Sequence, residues 1–508
     1  MSLDVVRFRI TLADSATGPR NRIVIYDWFV RGPKRAPPRG GHQVELLIDG
    51  EQTWSRVVED LERAREEIQI SMWMARPDME LLRPAKLAVS EPSERAELRL
   101  GAMLERRASE GVGVRLLIWG VVYTPILDPW LRRWYWRRSA NIDVLEQDHP
   151  HVLGSIHQKT ITIDGRIGYC GGMNLKQNDW DTSEHAIFEP RRNPYSVGAL
   201  RRSWVAKRQR LPAYLPRHDL AVRIEGPAVA DLLDDFCDRW AQVLAVRRRS
   251  LSGRIVDGLR TPTRELAAPT HTPEPCGDCW VQVVRTTPGG EDGILGAYVR
   301  AIRNARRYIY IENQYFRSPL IGEELREAIR NNPALRLAVV VRPVNDGDKS
   351  MIDPSGYWTA HTLELIREVR PEFQLTRLIV WARDAERRLV WQDVDVHAKI
   401  MIVDDVWLTV GSANIHDRGF RSEGELNVVV LDKQLARELR KRLMAEHLEI
   451  ELADPRLCAI ETAFDLWEQH ADLNPQLRER GQPPRSRVHH FVQQGLRRPP
   501  FGVGSGLF

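Results

Sequence analysis

The sequence predicts an α/β protein made of two tandem units, each a sheet covered by helices. Two observations carry this. A helix-then-strand pattern in 54–72 returns in 295–313, and an H-x-K-x4-D block in 157–174 returns in 397–414. The separations, 241 and 240 positions, are what one supersecondary plan used twice produces. Length agrees: the 508 residues exceed the roughly 250–300 at which a single core stops growing.

Taken in order, residues 1–40 read as an N-terminal arm, with RGPKRAPPRGG at its end. The first unit spans 41–250. Its WSRVVEDLERAREEIQISM (54–72) has helical apolar spacing, then a charged turn, then an alternating strand. LGAYVRAIRNARRYIYIEN (295–313) does the same, matching Leu61 with Ile302, Ala64 with Ala305, Ile68 with Ile309 and Ile70 with Ile311. GVRLLIWG (113–120) and LRLAVVVRP (335–343) are apolar runs suited to buried strands. Their offset falls to 221 because the first half carries extra residues around 75–100. Residues 251–280 follow the triplet Arg247, Arg248 and Arg249 and contain Pro262, Pro269, Pro273 and Pro275, which marks a linker. The second unit spans 281–480, and 481–508 reads as a poorly ordered tail.

Composition is that of an ordinary globular chain, 43% apolar and 28% charged. A net charge of +5 tolerates anionic partners without demanding them. Five cysteines in this length exclude a disulfide scaffold. Cys276 and Cys279 have C-x-x-C spacing, but no second pair stands beside them, so they read as a turn with two thiols and no metal is inferred. The N-terminus lacks a signal-like apolar core, and no run approaches the ~18 apolar residues of a membrane span. The expectation is a cytoplasmic or peripheral membrane protein, with export without a cleaved signal also compatible.

The repeated blocks place His157, Lys159 and Asp164 in one half and His397, Lys399 and Asp404 in the other. Period-two alternation sets His and Lys on one side of a strand. After an Asp-Gly or Asp-Asp turn, a second strand leads to Gly171-Gly172-x-Asn174 or Gly411-Ser412-x-Asn414. Gly172 and Ser412 permit close backbone approach, and Asn174 and Asn414 add amide donors. This set, used twice, suits a phosphodiester. Two lysines and two asparagines stabilise the anionic transition state. One neutral imidazole attacks phosphorus, and the other, protonated, serves the leaving alcohol. Each imidazole needs a carboxylate on its far nitrogen. Glu425, at the start of ELNVVVLD, is expected behind His397, and Asp219, at the start of DLAVRIEG, behind His157, with Glu184 as a competitor.

These residues resemble the phospholipase D superfamily. VHAKIMIVDDVWLTVGSANIHDRGF (396–420) is similar to its second catalytic signature and IHQKTITIDGRIGYCGGMNL (156–175) to its first. YIYIENQYF (308–316) and HDLAVRIEGPAVADLLDDFCDRW (218–240) resemble segments of the lipid-hydrolysing branch. The resemblance implies a pseudo-twofold tandem repeat of two α/β/α sandwich units packed together, with phosphohistidine chemistry and no metal at the catalytic histidines. It makes His157 the nucleophile and His397 the acid–base, and Asp164 and Asp404 more often structural. Asn174 departs from the pattern, since lipid-hydrolysing relatives tend to show Asp there.

The expected function is hydrolysis of the distal phosphodiester of a glycerophospholipid, phosphatidylcholine for choice, without a cofactor. Phosphatidyl transfer of the cardiolipin synthase kind is the alternative; nucleic acid is a less favoured substrate. The expected partner is a phospholipid membrane surface. DPWLRRWYWRRS (128–139) places three Trp and one Tyr among four Arg, a composition that fits the headgroup level. A buried aromatic cluster capped by Arg stems is the alternative for that segment.

Overall fold

The computed structural model describes residues 28–32, 35–85, 93–120, 141–151, 154–192, 214–249, 265–266, 271–342 and 355–491. The first half carries β1 (Arg39–Ile48), β2 (Glu67–Met72), β3 (Gly113–Trp119), β4 (Ile142–Gln147), β5 (Thr160–Ile163), β6 (Ile167–Gly171), β7 (Arg217–His218) and β8 (Leu220–Glu225). The second carries β9 (Cys279–Thr286), β10 (Tyr308–Asn313), β11 (Phe316–Arg317), β12 (Arg336–Val341), β13 (Thr376–Arg383) and β14 (Leu389–Asp393). It continues with β15 (Asp395–Val396), β16 (Lys399–Val403), β17 (Trp407–Gly411), β18 (Ile415–His416), β19 (Glu425–Leu431) and β20 (Val488–His490).

Sixteen of these strands join one sheet, ordered β14-β13-β12-β10-β16-β17-β19-β9-β1-β8-β6-β5-β2-β3-β4, with β20 on β13. Outward from the central β9–β1 pair, the two halves match strand for strand: β1-β8-β6-β5-β2-β3-β4 against β9-β19-β17-β16-β10-β12-β13. The sequence repeat is therefore a repeat of topology. The helix Asp49–Arg63 buries Trp54, Val57, Val58 and Leu61, and Gly293–Asn304 buries Ile294, Ala297, Tyr298 and Ile302, each before its strand β2 or β10. β16 and β19 are buried along their whole length, which explains their unbroken apolar runs.

One apolar cluster is shared between the halves, joining Cys170, Val222 and Ile224 to Ile400, Val410 and Val428. Each half also has its own outer cluster. The folded part reaches beyond 41–480. Trp28, Phe29 and Val30 are buried in the second half's cluster, where Gln282 accepts from Val30 N at 3.0 Å and donates to Val30 O at 2.6 Å. Residues 488–490, expected in the tail, form an edge strand because Val488 is fully buried and pairs with Leu378. Among the described residues, no helix is long and apolar enough to cross a membrane.

Candidate active site

Two short parallel contacts bring the halves together. Ile156 bridges Gly424, and Val396 pairs with His218. His157 N then donates to Gly424 O at 2.7 Å, and His397 N donates to His218 O at 2.7 Å. In each case the next residue of the opposite half is a carboxylate. His157 Nδ1 lies 3.0 Å from Glu425 Oε1 and 3.2 Å from Oε2. His397 Nδ1 lies 2.6 Å from Asp219 Oδ2. The tethers are crossed: the expected pairing of Glu425 with His397 and Asp219 with His157 is reversed. The reason is that each histidine's backbone is hydrogen-bonded to the other half. Glu184 is exposed and holds Arg487 Nη2 through its main-chain oxygen at 3.2 Å.

The remaining expected residues gather around this seam, with two exceptions. Lys159 Nζ donates to His157 O at 2.6 Å. Lys399 Nζ donates to His397 O and, at 3.3 Å, to Gln314 Oε1. Ser412 Oγ donates to Glu425, and Ser412 O sits 3.1 Å from His157 Nδ1. A Cβ at Gly172 would stand 2.2 Å from Asp219 Oδ1, so only glycine leaves room for that tether. Asn174 donates through N and Nδ2 to Asp179 Oδ2 at 2.7 and 3.1 Å. Asn174 Oδ1 and Asn414 Oδ1 are buried without a hydrogen-bond partner, leaving unmet polar capacity on both sides of the seam. The exceptions are Asp164 and Asp404, at the far ends of β5 and β16. Both have positive φ, 50° and 56°. Asp164 accepts from the backbone N–H of Arg65, Glu66 and Glu67 at 2.8–2.9 Å. Asp404 accepts from those of Arg306, Arg307 and Tyr308 at 2.7–2.8 Å.

Electrostatics point to an anion. Burial, then Lys159 and Lys399, hold His157 well below the usual imidazole range. Burial, then Arg217 and Lys399, do the same to His397. Burial also lowers Lys159 to about 8 and Lys399 to about 7, and raises Asp219 to about 7 and Glu425 to about 8. Each group is driven toward its neutral form because charge is poorly solvated there. An anion bound beside the two lysines would favour their charged forms. Both Nδ1 atoms face carboxylates, which leaves both Nε2 atoms for chemistry.

Two neighbours escaped the sequence reading. Trp73 presents a ring at 6.2 Å and 73° to His157. Arg217, which acts on His397, is buried against Asp179 at 2.9 Å. Arg217 precedes the HDLAVRIEG run and was readable as a basic residue beside a candidate acid; Trp73 gave no signal. The aromatic and arginine segment 128–139 lies outside the described residues.

A family model described as "Cardiolipin synthase, PLD-like domain" matches residues 57–190 and 298–446, one match per half and more than half of the chain. The chain belongs to the phospholipase D superfamily. A second superfamily model, "Phospholipase D", matches 139–288. Phospholipase D A of Dictyostelium discoideum is 26% identical over 90% of this chain and 37% of its own length. Phospholipase D2 of Bos taurus is 24% identical over 87% of this chain and 57% of its own. The chain thus spans between about a third and three fifths of these curated relatives. The crystal structure of phosphatidylserine synthase from Haemophilus influenzae Rd KW20 has a similar fold, with TM-score 0.50 and 13% identity over 88% of this chain and 97% of that one.

Proposed function

We propose that this chain is a phospholipase D, hydrolysing the distal phosphodiester of a glycerophospholipid to phosphatidic acid and a free headgroup alcohol. The observation that carries the reading is the crossed pair of His–carboxylate tethers at a seam lined by two buried lysines. His157 Nε2 attacks phosphorus while the bond to the headgroup oxygen breaks, and His397, which takes up a proton when the substrate's negative charge binds beside it, gives its Nε2 proton to that oxygen. A water then attacks the phosphohistidine. His397 takes the water's proton, the P–N bond breaks, and phosphatidic acid leaves. Lys159 and Lys399 hold the phosphoryl oxygens throughout. An alcohol that replaces the water receives the phosphatidyl group instead. Phosphatidylcholine is the proposed substrate, and the segment 128–139 is the proposed docking element on the membrane surface.

Thin-layer analysis of products from a mixed phospholipid panel, with and without a primary alcohol, tests this. Phosphatidic acid is expected, partly replaced by the phosphatidyl alcohol when the alcohol is present. His157→Ala and His397→Ala should each abolish both products, and the double variant should be little worse than either single one. Cleavage of DNA with no lipid product would refute the reading.

A further inference from the structure

Behind the Asp219 tether lies a second polar cluster that this chemistry does not use. Asp49, at the start of the helix Asp49–Arg63, is 1% exposed and has positive φ, 62°. His185, after β6, and His218, in β7, are fully buried. Glu446 reaches them from the helix Lys433–Leu448 of the second half. One atom from each of these four residues lies within 4.8 Å of the others.

Each imidazole nitrogen in the cluster lies close to both carboxylates. His218 Nδ1 is 3.0 Å from Asp49 Oδ1 and 3.5 Å from Glu446 Oε1. His185 Nε2 is 3.3 Å from Glu446 Oε1 and 3.5 Å from Asp49 Oδ2. Bonds of about 2.0–2.2 Å to a tetrahedral zinc ion put neighbouring ligand atoms about 3.3–3.6 Å apart, which three of these four separations match; the fourth, His218 Nδ1 to Asp49 Oδ1, is shorter. The other imidazole nitrogens are oriented as metal-bound histidines require. His185 Nδ1 faces Asp181 Oδ2 at 3.1 Å, and His218 Nε2 faces Glu312 Oε2 at 2.8 Å. Asp49 Oδ2, which His185 Nε2 approaches to 3.5 Å, is buried without a hydrogen bond.

We propose that Asp49, His185, His218 and Glu446 form a binding site for one divalent transition-metal ion of the zinc class. Two imidazoles and two carboxylates match its tetrahedral nitrogen and oxygen preference. Four protein ligands leave no open position, so the ion is structural. Three ligands belong to the first half and one to the second, so the ion staples the halves. Asp49 Oδ1 also accepts from Asp219 N at 3.2 Å, which couples the staple to the tether of His397. In the second half, Gly424 takes the place of His218 in the pseudo-symmetric backbone contact, so the set is not repeated there.

The test counts metal rather than turnover, so its outcome is separate from that of the proposed activity. The full chain is purified without chelator, assayed by inductively coupled plasma mass spectrometry, stripped with dipicolinate and refilled with Zn2+ or Co2+. About one zinc per chain is expected. Stripping should lower the melting temperature, and one equivalent of Zn2+ should restore it. Co2+ should give the visible bands of a tetrahedral site without a thiolate charge-transfer band. His185→Gln should retain under about a tenth of the metal. A metal-free chain whose melting temperature ignores both chelator and Zn2+ overturns the proposal, since the cluster is then a closed imidazolium–carboxylate network. Equal binding by His185→Gln also overturns it. So does a thiolate band, which assigns the ion to Cys276 and Cys279 and reads out even if the variant does not fold.

Discussion

Replacing Glu425 by Gln and Asp219 by Asn separates crossed from uncrossed tethers. Each change keeps shape and removes the charge facing an imidazole Nδ1. A hydrogen bond to a charged group contributes roughly 1.5–3 kcal/mol, which is about 10- to 150-fold in rate. The two sites should fall at different ends of that range. His157 Nδ1 keeps a second acceptor, Ser412 O at 3.1 Å, so Glu425→Gln should cost about tenfold. His397 Nδ1 relies on Asp219 at 2.6 Å, so Asp219→Asn should cost about 100-fold. Rapid-quench measurement of phosphohistidine formation, with an alkyl and with a 4-nitrophenyl leaving group, assigns the roles. Glu425→Gln weakens the nucleophile and should slow both substrates. Asp219→Asn weakens the general acid and should largely spare 4-nitrophenol, which departs without a proton. If Asp219→Asn slows the 4-nitrophenyl burst while Glu425→Gln leaves it intact, the crossed assignment is wrong.

The pH profile of kcat/KM should be bell-shaped. His157 stays neutral until the pH falls well below the usual imidazole value, which sets the acid limb. His397, which must carry a proton to serve the leaving group, is also held well below the usual imidazole value, and Lys399 and Lys159 lose charge as pH rises through about 7 and about 8; together these set the alkaline limb, and kcat should hold to higher pH because bound phosphate favours their charged forms. A flat profile between pH 5 and 9 would contradict this. Asp164→Ala and Asp404→Ala should each cost roughly 1–3 kcal/mol of stability in denaturant titrations by freeing three backbone N–H groups, with kcat of the folded fraction near wild type. A large kcat loss without destabilisation would move that residue into the chemistry. Gly172→Ala should lower kcat at least about tenfold, because its Cβ meets Asp219 at 2.2 Å; unchanged turnover would show that the tether is not needed. Trp134→Ala with Trp136→Ala should weaken vesicle binding and bilayer hydrolysis while sparing a short soluble phosphodiester. Equal loss on both substrates, together with a lower melting temperature, would make the cluster core.

Much of the fold was legible because its signals are local. Residues 54–72 and 295–313 became helix, turn and strand within a few positions of the expected bounds, and 113–119 and 336–341 became the buried parallel strands. The H-x-K spacing placed each lysine on its own histidine's carbonyl, and the Asp-Gly and Asp-Asp turns produced left-handed residues at Asp164 and Asp404. These depend on neighbours a few residues apart, which periodicity and turn chemistry report.

The sequence by itself determined which residues form the two half-sites, but not which half's carboxylate serves which histidine. A repeat shows that Asp219 and Glu425 occupy matching positions, and a twofold arrangement is equally satisfied by either pairing. The tertiary structure decided through backbone contacts across the seam, Ile156 to Gly424 and Val396 to His218. The resulting pairs are 268 and 178 residues apart in the chain. The cluster of Asp49, His185, His218 and Glu446 was hidden for the same reason. Its residues come from four segments, and their separations exist only once the two halves have closed on a shared apolar core.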